Sequence, residues 1–288
     1  MTQDLQQRSE DWFTARRGRV TASSAGAILG YSPHATRADV MRRMVRAYHQ
    51  APQEFTGNIA TQWGDFHEAT ARAEYEMQTG REVRACGFFM FSGWLGASPD
   101  GLVNNDGMVE FKCPFSLRKG GNFKSLREQM HYYAQVQVQL FVVGAQWCDF
   151  FQWAPHGTML ERVERDEAFL DEALPDLYAF WCEFRSELAN EEHLMDKFEI
   201  IDTVAMRALV DQYVNVTTEL QYLEERKKQL LADIVAGAKE KNAIVSGHKL
   251  TKVTREGSVK YAEVVKSQLP DLDLSPWRGK PSEYWVLK

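Results

Sequence analysis

Between Gly80 and Phe115 the chain changes its period, and this constrains the fold more than any other feature. Before the change, "NIATQWGDFHEATARAEYEMQTG" spaces its apolar residues as a helix does, with Gly80 as a C-cap. After it, "REVRACGFFMF" and "WLGASPDGLV" alternate as strands do, with turns expected at Ser92-Gly93 and Asp106-Gly107. "GMVEFKCPF" reads as a third strand. The helical period returns in "SLREQMHYYAQVQVQLFVVG", which ends at Gly144. "QWCDFFQWAP" and "TMLERVERD" then read as two more strands, and "EAFLDEALPDLYAFWCEFRSELAN" as a helix around Pro175. Upstream, a helix is expected from Ser9 to Arg17, then a turn at Gly18 and a second helix capped by Thr21 or Ser23. "ADVMRRMVRAYHQ" also has the helical period. The order predicts an α/β (α+β) core, a short mixed sheet flanked by helices.

Residues 200–288 read as an appendage, so the expected division is 1–199 and 200–288. Tyr213, Val216, Leu220, Leu223, Leu230 and Ile234 keep a 3–4 spacing broken by Lys227. That pattern suits an amphipathic helix packed on its own domain or a coiled-coil contact. "NAIVSGHKLTKVTREGSVKY" reads as a hairpin with turns at Ser246-Gly247 and Glu256-Gly257. The tail mixes Trp277, Tyr284 and Trp285 with Arg278, Lys280 and Lys288. It suits DNA, a neighbouring subunit, a partner or the domain's own core.

Charge is segregated along the chain although the net charge is −6. Residues 1–48 hold eight Arg against four acids, and residues 161–199 hold thirteen acids against four bases. Lys112, Arg118, Lys119, Lys124 and Arg127 fall in a stretch with no acid. A chain of this kind does not coat polyanions passively but can meet them in one place. The four Cys lie more than twenty residues apart, which argues against a zinc finger, an iron–sulfur site and a disulfide scaffold. Reduced, mostly buried thiols are expected. No apolar run reaches membrane-span length, and "MTQDLQQRSE" does not read as a signal peptide, so a cytoplasmic protein is expected.

The chemistry concentrates in "GASPDGLVNNDGMVEFKCPF", residues 96–115. Asp100 and Glu110 fall on strands joined by a hairpin-sized connection, so their carboxylates can share one ion. Glu110 and Lys112, two apart on one strand, point to the same face, and Phe111 points into the core with its carbonyl free to act as a ligand. Hydrolysis of a phosphodiester needs divalent cations held by such oxygens, and Mg²⁺ prefers them. A surface-charged hairpin has the same spacing, so the stretch alone leaves both readings open.

The longer string resembles the lambda exonuclease and YqaJ-type viral recombinase branch of the PD-(D/E)xK nucleases. "SPDGL" followed by "EFKCPF", "WFTARRGRVTAS", "WGDFHEATA" and "YYAQVQVQL" are similar to that family's motifs and stand in its order over residues 12–141. Strand and acidic-helix patterns continue the likeness to about residue 190.

The resemblance implies a restriction-endonuclease-like core and a Mg²⁺-dependent (or Mn²⁺-dependent) 5′→3′ exonuclease that favours alkaline pH. Such an enzyme turns the 5′-ended strand of duplex DNA into mononucleotides and leaves a 3′ overhang. It further implies that Asp100, Glu110, the Phe111 carbonyl and Glu68 hold metal, that Lys112 positions the nucleophilic water, and that Gln135 orients Lys112 or substrate. Arg16, Ser23, Ser98 and Arg118 match the positions that grip a 5′ phosphate, with Arg17 as a neighbour able to share the role and Arg19 expected on solvated surface. Tyr132 and Tyr133 are expected to stack on a base or to pack, with packing expected for one of them. A ring-shaped homotrimer, a single-strand annealing partner and a phage or prophage origin are implied as well. An endonuclease of the same superfamily and a catalytically silent DNA-end-binding module are the alternatives.

Overall fold

The computed structural model describes residues 2–3, 5, 7–54, 57–196 and 201–254, with the backbone alone at 2–3. By contact the chain divides into two compact units, Met1–Glu225 and Arg226–Lys288.

The first unit opens with β1 (Thr2–Gln3), α1 (Glu10–Arg16), β2 (Val20–Thr21), α2 (Ala22–Ile28), α3 (Arg37–Tyr48) and α4 (Ile59–Thr79). Ser9 caps α1 by accepting the Trp12 N–H at 3.2 Å. No hydroxyl caps α2: Thr21 occupies the cap position, but its Oγ1 lies 3.2 Å from Ser23 Oγ and 3.3 Å from Ser24 Oγ instead. α4 ends where Gly80 takes a left-handed conformation, which spares the chain a Cβ clash at the helix end.

The strand region holds β3 (Val83–Arg84), β4 (Phe88–Phe91), β5 (Leu95–Ala97), β6 (Gly101–Val103) and β7 (Gly107–Lys112). The expected single sheet is in fact two. One runs β1-β4-β5-β2; the other runs β3-β6-β7 and continues through β8 (Trp147–Ala154) to β9 (Gly157–Glu164). "WLGASPDGLV" therefore breaks at Ser98–Asp100, with β5 in one sheet and β6 in the other. Ser92 and Gly93 take positive φ and close the β4–β5 hairpin as expected. The second turn sits at residues 104–106 rather than at Asp106-Gly107. Gly107 is already strand, and the Trp147 ring lies where its Cβ would be, 2.2 Å away at the nearest atom.

Two further helices follow: α5 (Met130–Val143), which packs on β4, β5 and β8, and α6 (Glu167–Glu187), with Pro175 inside it, which packs against α2, α3 and α5. α5 starts five residues later than the sequence pattern predicts, because the Glu128 carboxylate folds Ser125–Glu128 into a turn by accepting from the Ser125 N–H and hydroxyl, each at 2.8 Å. One apolar core lies between α2, α3, α5 and α6; a second joins α4 to β7 and β8 through Tyr75, Phe111 and Phe151. Those three rings meet edge to face at 5.6–6.0 Å, each pair adding about 1 kcal/mol beyond area burial. Tyr75 donates to buried Asp149 at 2.7 Å, and Arg162 grips the same carboxylate at 2.8 Å, which fastens α4 to β8.

α7 (Val204–Gly237) follows, then β10 (Ala243–Val245) and β11 (His248–Leu250), which pair around Ser246-Gly247. The turn expected at Glu256-Gly257 and the residues Trp277, Arg278, Lys280, Tyr284, Trp285 and Lys288 lie outside the described residues. All four cysteines are free; Cys148 is buried and Cys182 exposed, so burial is less general than expected. Among the described residues no helix is long and apolar enough to cross a membrane.

Candidate active site

The β6–β7 hairpin builds the acidic face. Gly101 pairs with Val109, so Asp100, one residue before β6, stands across from Glu110. Asp100 Oδ2 accepts the Phe111 N–H at 2.7 Å. Glu110 is 2% exposed and Lys112, two residues on, sets its Nζ 2.6 Å from Glu110 Oε1. Phe111 turns the other way into the core. The alternation of a strand thus gathers two acids and a lysine on one face.

α5 closes that face with two amides. Gln135 Nε2 donates to Glu110 Oε1 at 2.5 Å, and Gln139 Nε2 to Glu110 Oε2 at 2.8 Å. Spacing by four residues puts them on one side of the helix. Tyr132 shares that side, with its ring centroid 4.9 Å from Lys112 Nζ. Sequence reasoning named Gln135 and passed over Gln139, whose signal was the four-residue step in "AQVQVQ". Gln137 faces away, bridging the Glu164 carbonyl at 3.0 Å and the Asp166 N–H at 2.8 Å. Tyr133 packs in the core and donates to Asp166 at 2.6 Å. His131, also unremarked in the sequence, lies against Tyr132 with ring centroids 4.0 Å apart, and burial lowers its pKa.

Glu68 comes from α4. Its Oε2 lies 3.7 Å from Arg8 Nη2, which pairs more closely with Asp65 at 2.6 Å. A ring stack seats this part of the helix: His67 lies between Trp63 at 4.0 Å and Trp153 at 4.7 Å. Burial raises the Glu68 pKa, and the charge of Glu110 adds to the rise.

The electrostatics of the face are one-sided. Burial, then the charge of Glu110, pushes Asp100 well above the usual carboxylate range. Burial alone would lower the Lys112 ammonium, but Glu110, Tyr132 and Asp100 outweigh it and hold the proton on. One ammonium therefore faces three carboxyl groups. Gln139 Oε1 is buried and, among the described residues, meets no hydrogen-bond donor. Among the described residues no three acidic, imidazole or thiol groups stand close enough together to hold a metal ion as they are. The donors are nonetheless all oxygen, they carry surplus negative charge, and one or two carboxylates suffice for Mg²⁺, which keeps much of its water. The residues fit a hard divalent cation.

Three of the four expected phosphate-binding residues meet around Trp12. Arg16 lies over the Trp12 ring with Cζ 4.1 Å from its centroid, and reaches Ser23 Oγ at 3.4 Å. Trp12 Nε1 donates to Ser98 Oγ at 2.9 Å. The parallel pairing of β2 with β5 matches Thr21 to Gly96, which carries Ser23 and Ser98 to the same end of the sheet. No carboxylate pairs with Arg16 among the described residues, and burial, followed by the charge of Arg43, lowers its pKa to about 10. Arg43 was not singled out from the sequence. Arg118 stands apart in its contacts: it lies over Phe115 at 3.9 Å and donates to Asn215 of α7 at 2.8 Å. Arg19, expected on solvated surface, instead braces the end of α1 by donating to the Ala15 carbonyl at 2.6 Å.

The chain is similar to known proteins over this region. A family profile described as the YqaJ-like viral recombinase domain matches residues 11–146. The crystal structure of an alkaline exonuclease, LHK-Exo, from Laribacter hongkongensis is 33% identical, with a TM-score of 0.53 over 64% of this chain and 96% of that one. LHK-Exo in complex with dAMP is 34% identical, with a TM-score of 0.53 over 62% of this chain and 94% of that one. An uncharacterized protein, R354 of Acanthamoeba polyphaga mimivirus, is 26% identical over 163 residues, and the match spans 29% of that protein's length.

Proposed function

The chain belongs to the YqaJ-like viral recombinase family and is a nuclease of the phage alkaline-exonuclease type, and from that premise we propose that it digests the 5′-ended strand of duplex DNA from its end. The products would be mononucleotides and a 3′ single-stranded overhang. The observation that carries this reading is the link Ser98-Pro99-Asp100, which joins the Arg16 pocket directly to the acidic face.

Asp100, Glu110, the Phe111 carbonyl and Glu68 would hold divalent cations, Mg²⁺ by preference. When bound, such ions ease loss of a proton from water and offset charge on the reacting phosphate. The chain's own groups do the rest. Gln135 and Gln139 hold the Glu110 carboxylate in one orientation, and Glu110 holds the Lys112 ammonium. The carboxylates around Lys112 favour its protonated form, in which it would act as a donor that orients the attacking water and steadies the phosphate. Arg16, with Ser23 and Ser98, receives the terminal 5′ phosphate: an arginine offers paired donors to phosphate oxygens, and the hydroxyls add single ones. Arg118 would meet the strand at a second point.

On this reading residues 1–199 are the exonuclease domain and residues 200–288 an extension that contacts DNA, subunits or a partner. The assembly is a homotrimeric ring threaded by DNA, the partner is an annealing protein that coats the overhang, and the setting is the cytoplasm of a phage-bearing bacterial cell.

The test is a linear duplex labelled separately at each 5′ end, digested with and without Mg²⁺ beside a closed circle. Expected are labelled mononucleotides released first, only with Mg²⁺, and an intact circle. Cutting of the circle would assign an endonuclease instead.

A further inference from the structure

The first part of α7 belongs to the first unit, and one side of it follows a single loop. Asn215, Glu219 and Tyr222 are spaced by four and three residues, so they share that side. They meet three consecutive residues of the loop. Asn215 Oδ1 accepts from Arg118 Nη2 at 2.8 Å, and Glu219 lies 3.6 Å from Lys119. Tyr222 lies against Gly120, where a Cβ would come within 3.1 Å of its ring. Gly120 and the following Gly121 take positive φ. The loop therefore has its shape from its glycines and its seat from α7.

Arg118 is the residue of this loop that is held on most sides. Its Cζ lies 3.9 Å from the Phe115 ring centroid, and its Nη1 donates to the Phe115 carbonyl at 3.1 Å. With the bond to Asn215, two of an arginine's five N–H donors are used and the others remain for a ligand. Both acceptors are neutral. Among the described residues no carboxylate pairs with Arg118: Glu219 pairs with Lys119 instead, and both of those side chains are more than half exposed. Burial lowers the Arg118 pKa, and the charge of Glu219 opposes this without reversing it. An acid in place of Asn215 would neutralise the guanidinium. An amide aims it and leaves its charge for a phosphate.

We propose that Asn215 is a positioning residue of the nuclease: from α7 it holds Arg118 in the orientation in which Arg118 meets the DNA strand. The proposal rests on the reading of Arg118 as a strand contact. An arginine left free on a loop is ordered only when DNA arrives, and that ordering weakens binding; one already held avoids the loss. α7 lies beyond residues 11–146, the stretch that matches the family profile, so this part of the grip is one that the family motifs do not contain.

The test is KM and kcat on a linear duplex for the parent, Asn215→Ala, Arg118→Ala and the double variant. Asn215→Ala is expected to raise KM about three- to tenfold with kcat unchanged, the scale of ordering one long side chain. In the Arg118→Ala background the same substitution is expected to change KM by less than about twofold, because the residue it acts through is gone. An equal rise with and without Arg118 would overturn the proposal, and this comparison holds even where Asn215→Ala lowers the melting temperature. A fall in KM in Asn215→Ala would overturn it too, since α7 would then mask Arg118. A rise in Arg118→Ala beside an unchanged Asn215→Ala would end the positioning role and leave Arg118 as a strand contact. An unchanged KM in Arg118→Ala would end the strand contact itself, and the proposal with it.

Discussion

Asp100 and Phe111 are tied across the hairpin by one hydrogen bond, carboxylate Oδ2 to backbone N–H at 2.7 Å, and this bond fixes an acid that burial works to neutralise. The folded-state pKa of Asp100 lies above its unfolded value. Its contribution to stability is therefore fully present below the usual carboxylate range and is lost as pH rises through the raised value. Wherever the group is ionised it is a burden on the fold. Asp100→Asn is expected to raise the melting temperature at pH 8 and to lower the nuclease rate by at least about a hundredfold, the usual scale for loss of an electrostatic catalytic group. The gain in melting temperature should vanish near pH 3. Mg²⁺ should raise the melting temperature of the parent protein and not that of the variant. Calorimetry across pH, with and without Mg²⁺, reads all three.

Gln139 is expected to matter almost as much as Gln135. Removing it leaves one oxygen of buried Glu110 without its donor, a loss of about 1–3 kcal/mol. Gln139→Leu should lower kcat by about tenfold or more with little change in KM, because the amide holds a carboxylate and not the DNA. A rise in KM at constant kcat would assign Gln139 to substrate binding.

Arg16 should govern the choice of DNA end. Its pKa of about 10 leaves the guanidinium charged at pH 8 to 9. Arg16→Ala is expected to slow digestion of 5′-phosphorylated ends by about ten- to a hundredfold, the scale of a lost charge-assisted hydrogen bond, and to leave 5′-hydroxyl ends unaffected. Arg16→Lys keeps the charge but not the paired donors, so it should fall between. Initial rates on the two kinds of end decide it.

Gly26 is the contact point between α2 and α5. A Cβ there would meet the His131 backbone at 2.6 Å, and backbone cannot turn aside. Gly26→Ala is expected to push α5 off the site and to cost about 1–3 kcal/mol of stability. A lower melting temperature together with a lower kcat would show that α2 sets the height of Gln135 and Gln139 over Glu110. An unchanged melting temperature would mean the helices separate freely.

Much of this could be read from the chain because the signals are local. Ser9 and Gly80 mark their helix ends through their own backbone neighbours. Glu110 and Lys112 share a face because any strand alternates. Other features depend on contacts far along the chain and were not legible. Alternation in "WLGASPDGLV" says nothing about which sheet each half joins. The turn before β7 closes at residue 106, and Trp147, forty residues on, lies over Gly107 at the start of the strand. Gln137 and Gln139 look alike in sequence, yet one serves the Asp166 turn and the other the acidic face. Arg118 meets Asn215 of α7, nearly a hundred residues on, a contact that its own neighbours in the chain do not announce.

The break at Ser98–Asp100, which hands the chain from one sheet to the other, has a consequence for stride. On the proposed reading the strand is gripped at one end of this link and cut at the other. The interval between the two is a step of two residues, at most about 7 Å of backbone. It is therefore a gauge written in covalent bonds, and no side-chain repacking can reset it. Lengthening the link by one residue should change the size of the piece released before it changes the rate, which product length on a gel would reveal.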